Sequence, residues 1–187
     1  MRRFSVIGTA HRDDVDLVRA LESALDRAAP DQLILEMPDE AALAGRVKNQ
    51  KPEMAAAYRW AARHGVPVRG HEPPGLGVLR DGLSPQRIGG LAQQMDALVS
   101  GLTVRRTIDI FCQRATARTD AERRLSAVIE TLIDPEKALV RTRGIISAIG
   151  RVAAPEGHVL ILCGGAHVPL IVQTLEGCEI IGGEHFY

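Results

Sequence analysis

The sequence predicts an α/β fold: a mainly parallel central sheet flanked by helices, with an all-helical insertion before the last strands. Three observations carry this expectation. Short apolar runs alternate with helical patterns through the first half of the chain, the middle loses that alternation and reads as helix throughout, and the strand pattern then returns. The 187 residues suffice for one well-filled domain and are few for two. Residues 1–187 are therefore expected to form one α/β domain, with 84–154 as a helical insertion or cap.

The elements follow in order. Phe4-Ser5-Val6-Ile7 reads as a buried strand running to about Gly8. A helix opened by Asp13 or Asp14 places Val15, Val18, Leu21, Leu25 and Ala28 on one face, and Pro30 stops it. Leu33-Ile34-Leu35 is a second buried strand, ending in Glu36. Pro52 suits the first turn of a helix striped by Met54, Ala57, Tyr58 and Ala61, with Gly65 at its C-terminal cap. Val66-Pro67-Val68 begins a third strand directed at His71-Glu72 and the Pro73-Pro74-Gly75 breaker.

From Ser84 to Ala154 the signals are helical. Ser84-Pro85 and Asp134-Pro135 each pair an N-cap with proline at the first helical position. Thr119-Asp120-Ala121-Glu122 is a capping box ahead of Leu125, Val128, Ile129 and Leu132, and the last helix carries Leu139, Ile145, Ile146, Ile149 and Val152. Pro155-Glu156-Gly157 then turns into the strand Val159–Cys163. Val168-Pro169 opens a helix closed by Gly177, and Glu179-Ile180-Ile181 reads as a final strand.

Composition narrows the function classes. Aromatic residues are 3% of the chain, too few for a base-stacking nucleic-acid platform. Lys plus Arg equals Asp plus Glu at 23 each, so overall charge implies no polyanionic partner. Arg105, Arg106, Arg114, Arg118, Arg123 and Arg124 are interleaved with Asp109, Asp120, Glu122 and Glu130, which reads as a solvated helix surface. Cys112, Cys163 and Cys178 form no CxxC pair and no zinc-ribbon spacing, as expected in a reducing compartment. No apolar run approaches transmembrane length. The expectation is a soluble, cytoplasmic protein without a membrane span and without a nucleic-acid partner, acting on a small molecule or peptide, with homo-oligomer formation left open.

Chemistry is suggested by a repeated signature. Gly8-Thr9-Ala10-His11 and Gly164-Gly165-Ala166-His167 each follow a strand and precede a helix. In a parallel sheet both histidines stand at carboxyl ends of strands, where open α/β folds build their crevices. Glu36 and His71-Glu72 end two further strands. Two imidazoles with one or two carboxylates suit Zn²⁺, Mn²⁺, Co²⁺ or Fe²⁺, which would generate hydroxide from bound water. Without metal the same groups can act as general base and acid. His11, Glu36, His167 and Glu72 are thus the candidate metal ligands, with Mn, Co or Zn as the divalent ion. Gly8, Gly164, Gly165, His71 and Arg12 are candidate substrate-binding positions, the glycines allowing sharp turns beside a ligand. Each residue also has a plain structural reading: Glu36 as the first-turn acid of the next helix, His71 as a hydrogen-bonded loop residue, the other histidines as helix caps. Cys163, inside an apolar strand, reads as a small packed hydrophobe.

The order GTxH, then the Pro-Asp-apolar-Glu strand Pro30–Glu36, then a late GxxH resembles the superfamily that includes the TraB/PrgY pheromone-shutdown proteins, the Tiki proteases and the erythromycin esterases. The resemblance spans nearly the whole chain. It implies an α/β core with a helical insertion and a hydrolytic pocket framed by His11, Glu36 and His167. It further implies divalent-metal proteolysis if the chain is Tiki-like and metal-independent ester cleavage if it is esterase-like. TraB-like members often carry an arginine-aspartate pair on the helix before the last strand. Arg143 falls near that place, with Gly144 in the aspartate's position, and is a candidate to bind a substrate carboxylate or an oxyanion. The functional expectation is a hydrolase of peptide or ester bonds with Glu36, His11, His167 and Arg143 in catalytic roles. The alternative is a catalytically inactive ligand- or haem-binding module of ChaN-like fold.

Overall fold

In the computed structural model, residues 1–10, 15–46, 50–73, 75–112, 116–183 and 186 are described. The expected opening of the first helix at Asp13 or Asp14 lies outside them. The chain order is β1 (Arg2–Thr9), α1 (Val15–Ala28), β2 (Gln32–Leu35), α2 (Asp39–Leu43), α3 (Pro52–His64), β3 (Val68–Gly70), α4 (Pro85–Val99), α5 (Val104–Phe111), α6 (Asp120–Leu132), α7 (Pro135–Val152), β4 (Gly157–Gly164), a 3-10 turn (Gly165–His167), α8 (Val168–Thr174) and β5 (Glu179–Ile180). The five strands pair in the order β3-β2-β4-β1-β5, every pairing parallel. The α/β fold with a parallel sheet is what the alternation in the sequence predicts.

Side chains alternate across the sheet with period two, and each face has its own core. Ile7, Leu33, Leu35, Leu160 and Leu162 face a cluster built with Leu21, Leu25, Met54, Trp60 and Ala61 of α1 and α3. Phe4, Val6, Ile34, Val159, Ile161 and Cys163 face the other way, against Ile145 and Ile149 of α7 and Val168 and Ile171 of α8. Nearly continuous apolar strands are what a sheet covered on both faces requires.

The helical stretch 84–154 divides in two. Helices α4, α5 and α6 share a small separate core around Ile110, Leu125 and Ile129. Helix α7 packs on the sheet itself and closes the β3-to-β4 crossover. Its start is fixed by Asp134, whose carboxylate accepts the backbone N–H groups of Glu136 and Lys137. The Thr119–Glu122 capping box is present at the start of α6, with both reciprocal hydrogen bonds.

The connection leaving β1 packs on one face and the connection leaving β4 on the other, although the two strands are neighbours. That reversal is a topological switch point, the place where open α/β sheets leave a crevice at the carboxyl ends of their strands.

One glycine sets the shape of the neighbouring edge. A Cβ on Gly70 would lie 2.3 Å from the Met37 carbonyl oxygen and 2.7 Å from the Asp39 amide nitrogen. Both are backbone atoms, so Gly70→Ala forces the β2–α2 turn away from β3. The expected cost is about 1–3 kcal/mol, read as a lowered urea midpoint. An unchanged midpoint means that the turn shifts freely.

Candidate functional site

Four strands bring their carboxyl ends together, and the sheet pairing continues past two of them. The Glu36 amide donates to the Leu162 carbonyl at 3.0 Å, the His71 amide to Leu35 at 3.0 Å, and the Glu72 amide to Met37 at 3.1 Å. These bonds hold Glu36, His71 and Glu72 in register with the strand ends.

Glu36 is buried at 5% exposure. One carboxylate oxygen accepts the Gly164 amide at 2.5 Å. The other accepts Lys51 Nζ at 3.2 Å and lies 3.6 Å from the Arg141 guanidinium. Arg141 donates to Glu72 Oε1 at 2.7 Å and to the Leu76 carbonyl at 2.9 Å. Charges therefore alternate through Lys51, Glu36, Arg141 and Glu72, an arrangement that makes a buried carboxylate tolerable.

His71 is fully buried. Its Nε2 lies 3.4 Å from the Leu162 carbonyl, and its Nδ1 has no hydrogen-bond partner. Burial lowers its pKa from the usual 6.5, and the nearby Glu36 charge opposes that shift only in part. His71 is thus a neutral imidazole beneath the charged chain.

His167 ends the 3-10 turn after β4. Its Nδ1 lies 2.8 Å from the Thr142 hydroxyl, and that hydroxyl donates to the Ala138 carbonyl at 2.9 Å. A hydroxyl proton so used leaves the Thr142 oxygen as an acceptor for an Nδ1–H. The second signature is therefore held at both ends: Gly164 by Glu36 and His167 by Thr142.

Of the residues the sequence singled out, the structure gathers Glu36, Glu72, His71 and Gly164, with His167 tied to α7 next to Arg141. Gly8 lies inside β1, paired in register with Cys163. Gly165 has a packing reason for its missing side chain: a Cβ there would stand 2.0 Å from Ile108 Cδ1 of α5. Arg143 is exposed and outside the cluster. It stands two residues from Arg141, about 200° around the helix. His11 and Arg12 lie outside the described residues. Cys163 is buried, and burial pushes its thiol well above the usual range, so it is held as a thiol.

Four residues of the site escaped the sequence reading. Arg141 and Thr142 differ from any other polar pair on an amphipathic helix only by the register of α7. Lys51 precedes a first-turn proline and looks like a loop cation. Glu53 reads as a first-turn acid of α3, yet it is fully buried and accepts the Thr9 hydroxyl at 3.2 Å. Thr9 is register-paired with Gly164, so Glu53 and Glu36 grip neighbouring residues on adjacent strands.

A divalent ion at Glu36 would have to displace Lys51 or Arg141, and at Glu72 it would meet Arg141 again. As placed, the described donors do not fit a divalent ion without that displacement. No three His, Cys, Asp or Glu side chains converge on one point among the described residues.

Fold and site define a doubly wound α/β protein with a charged cluster at the carboxyl ends of β2, β3 and β4. Set beside known proteins, the chain finds no counterpart: no family model, curated protein or solved structure matches it. No helix among the described residues is long and apolar enough to cross a membrane.

The buried imidazoles give a pH prediction. His158, at the start of β4, also has a lowered pKa, through burial and then the Arg3 charge. The folded chain keeps both rings neutral where the unfolded chain takes up protons, below the ordinary value of 6.5. Their contribution to stability is complete above that pH and is lost as pH falls through the depressed folded values. The urea midpoint is expected to drop between pH 7 and pH 5, and to drop less in His158→Gln. A flat midpoint over that range refutes it.

Proposed function

We propose that this chain is a metal-independent hydrolase of ester or peptide bonds, of the Tiki/TraB/erythromycin-esterase type. The supporting observation is the second signature, fixed by Glu36 at Gly164 and by Thr142 at His167. His167 Nε2 takes a proton from water, and the water oxygen adds to the substrate carbonyl carbon. The oxyanion role expected of Arg143 passes in this reading to Arg141. Protonated His167 then gives its proton to the leaving alkoxide or amine as the C–O or C–N bond breaks. Glu36 remains an anion that orients Arg141 and the β4 turn. His11 of the first signature is the second imidazole of this reading. The pairing of both carboxylates with cations favours the metal-independent branch.

The test is turnover of a panel of nitrophenyl esters and fluorogenic peptides by the purified chain, with EDTA and with added Mn²⁺, Co²⁺ or Zn²⁺. Turnover that survives EDTA and is lost in His167→Ala supports the reading. Turnover only with added metal replaces it by the metalloprotease branch. No turnover on either panel rejects hydrolysis and leaves the inactive ligand-binding module, for which haem titration is the direct check.

A further inference from the structure

His158 stands at the opposite end of the sheet from the charged cluster, early in β4 and register-paired with Arg3 of β1. Like Leu160 and Leu162 it points to the α1 face, where it is buried at 7% exposure. Its Nε2 lies 2.9 Å from the Ser5 hydroxyl. Its Nδ1 has two neighbours with opposite demands: Arg3 Nη2 at 3.0 Å, which only donates, and the Ala28 carbonyl at 3.1 Å, which only accepts. A neutral Nδ1 satisfies one of them at a time. The carbonyl belongs to the last residue of α1, where helix carbonyls lack intrahelical partners, and it is held in place. Ala29 follows it in the left-handed region with φ 43°, and the turn is clamped to β4: the Asp31 amide donates to the His158 carbonyl and the Asp31 carboxylate accepts the His158 amide. Arg3 is exposed and is the movable partner.

We infer that His158 is a pH-operated latch: its neutral Nδ1 holds Arg3 of β1, and on taking a proton it releases Arg3 and closes on the Ala28 carbonyl of α1. In the neutral ring the hydrogen is on Nε2, donated to Ser5, and the Nδ1 lone pair accepts from the guanidinium, because a charge-assisted bond outweighs a neutral one. A proton arriving from solvent occupies that lone pair. Nε2 keeps its hydrogen and its bond to Ser5, while two cations now face each other and Arg3 must leave. The negative end of the α1 dipole, at Ala28, favours the new cation. The charged groups that face the ring are Arg3 from β1, Asp31 from the turn before β2 and Glu179 from β5. Arg2 is turned over the Phe4 ring, Arg27 donates to Ser23, and Asp26 accepts from Trp60. Burial and then Arg3 place the exchange below the ordinary histidine value of 6.5, against the pull of the Ala28 carbonyl and the two carboxylates. The latch goes beyond the hydrolase reading and does not depend on it.

The experiment follows the isotope-labelled full chain from about pH 8 to about pH 5 by long-range imidazole nitrogen–proton correlation NMR. His158 is expected to carry its hydrogen on Nε2 at the upper end and to titrate at Nδ1 below 6.5, with the Arg3 side-chain Nε–H signal and the Ala29 amide moving at the same midpoint. Arg3→Met removes the donor, so the neutral ring should change tautomer to Nδ1–H and its midpoint should rise. Arg3→Gln keeps a neutral donor, so the Nε2–H tautomer should stay while the midpoint rises. Arg3 belongs to neither sheet core, so both variants are expected to fold. Four results would each overturn the latch: an Nδ1–H tautomer in the neutral wild type, an Arg3 signal indifferent to the His158 midpoint, a ring that stays neutral until the chain unfolds, or an Arg3→Met variant with the wild-type tautomer and midpoint.

Discussion

Replacing His167 by alanine is expected to lower ester or peptide turnover by about 10²- to 10⁴-fold, the range for losing a positioned general base. The melting transition should persist, because the half-buried ring belongs to neither sheet core. The companion substitution is Thr142→Val, which keeps the shape of a buried side chain and removes the hydroxyl that fixes Nδ1. Its effect on kcat should be smaller than that of His167→Ala, and the acid limb of the pH profile should move, because the ring loses its assigned tautomer. A structural role alone would lower the melting temperature in both variants and leave the pH profile in place. Equal turnover by wild type and His167→Ala removes His167 from the chemistry.

What could be read beforehand divides along physical lines. Strands β1, β2 and β4 were legible because burial on both faces makes them continuous apolar runs, and Pro30 and Pro155-Glu156-Gly157 mark where the chain must turn. Glu36, His71-Glu72 and His167 were legible as site candidates because the end of an apolar run is visible in sequence and a parallel sheet puts such ends together. Arg141 was not. Which arginine of an amphipathic helix faces the crevice depends on how that helix docks, and the apolar stripe Ile145–Ile149 fixes this only to within a residue or two. The resemblance points to Arg143, and the arginine that meets Glu36 and Glu72 is Arg141. Lys51 and Glu53 were hidden for a related reason. They flank Pro52 at the start of α3, and only the packing of that helix against the sheet brings them to strand ends distant in sequence. Likewise Gly165 looked like a ligand-approach glycine, while the nearest atoms to its missing side chain belong to Ile108 of the helical stretch.

Removing Arg141 is expected to be the most costly single change at the site for stability. In Arg141→Ala, Glu36, whose side chain is 4% exposed, loses one of its cations, Glu72 loses its Arg141 partner, and the Leu76 carbonyl loses its donor. Breaking a buried ion pair from one side leaves its carboxylate less compensated, and a loss of about 3 kcal/mol in urea unfolding follows. Arg141→Lys should recover little of it, because one ammonium cannot reach Glu36, Glu72 and a carbonyl from a single point as a planar guanidinium does. The sharper test is compensation. Adding Glu36→Gln to Arg141→Ala removes the less compensated charge while keeping an acceptor for the Gly164 amide, so the double variant should be more stable than Arg141→Ala alone, with a coupling above about 0.5 kcal/mol. Salt should not reproduce the effect of the mutation, since buried charges are poorly screened. A loss below about 1 kcal/mol, or strict additivity of the two changes, would reduce the alternating chain to a solvated surface pair.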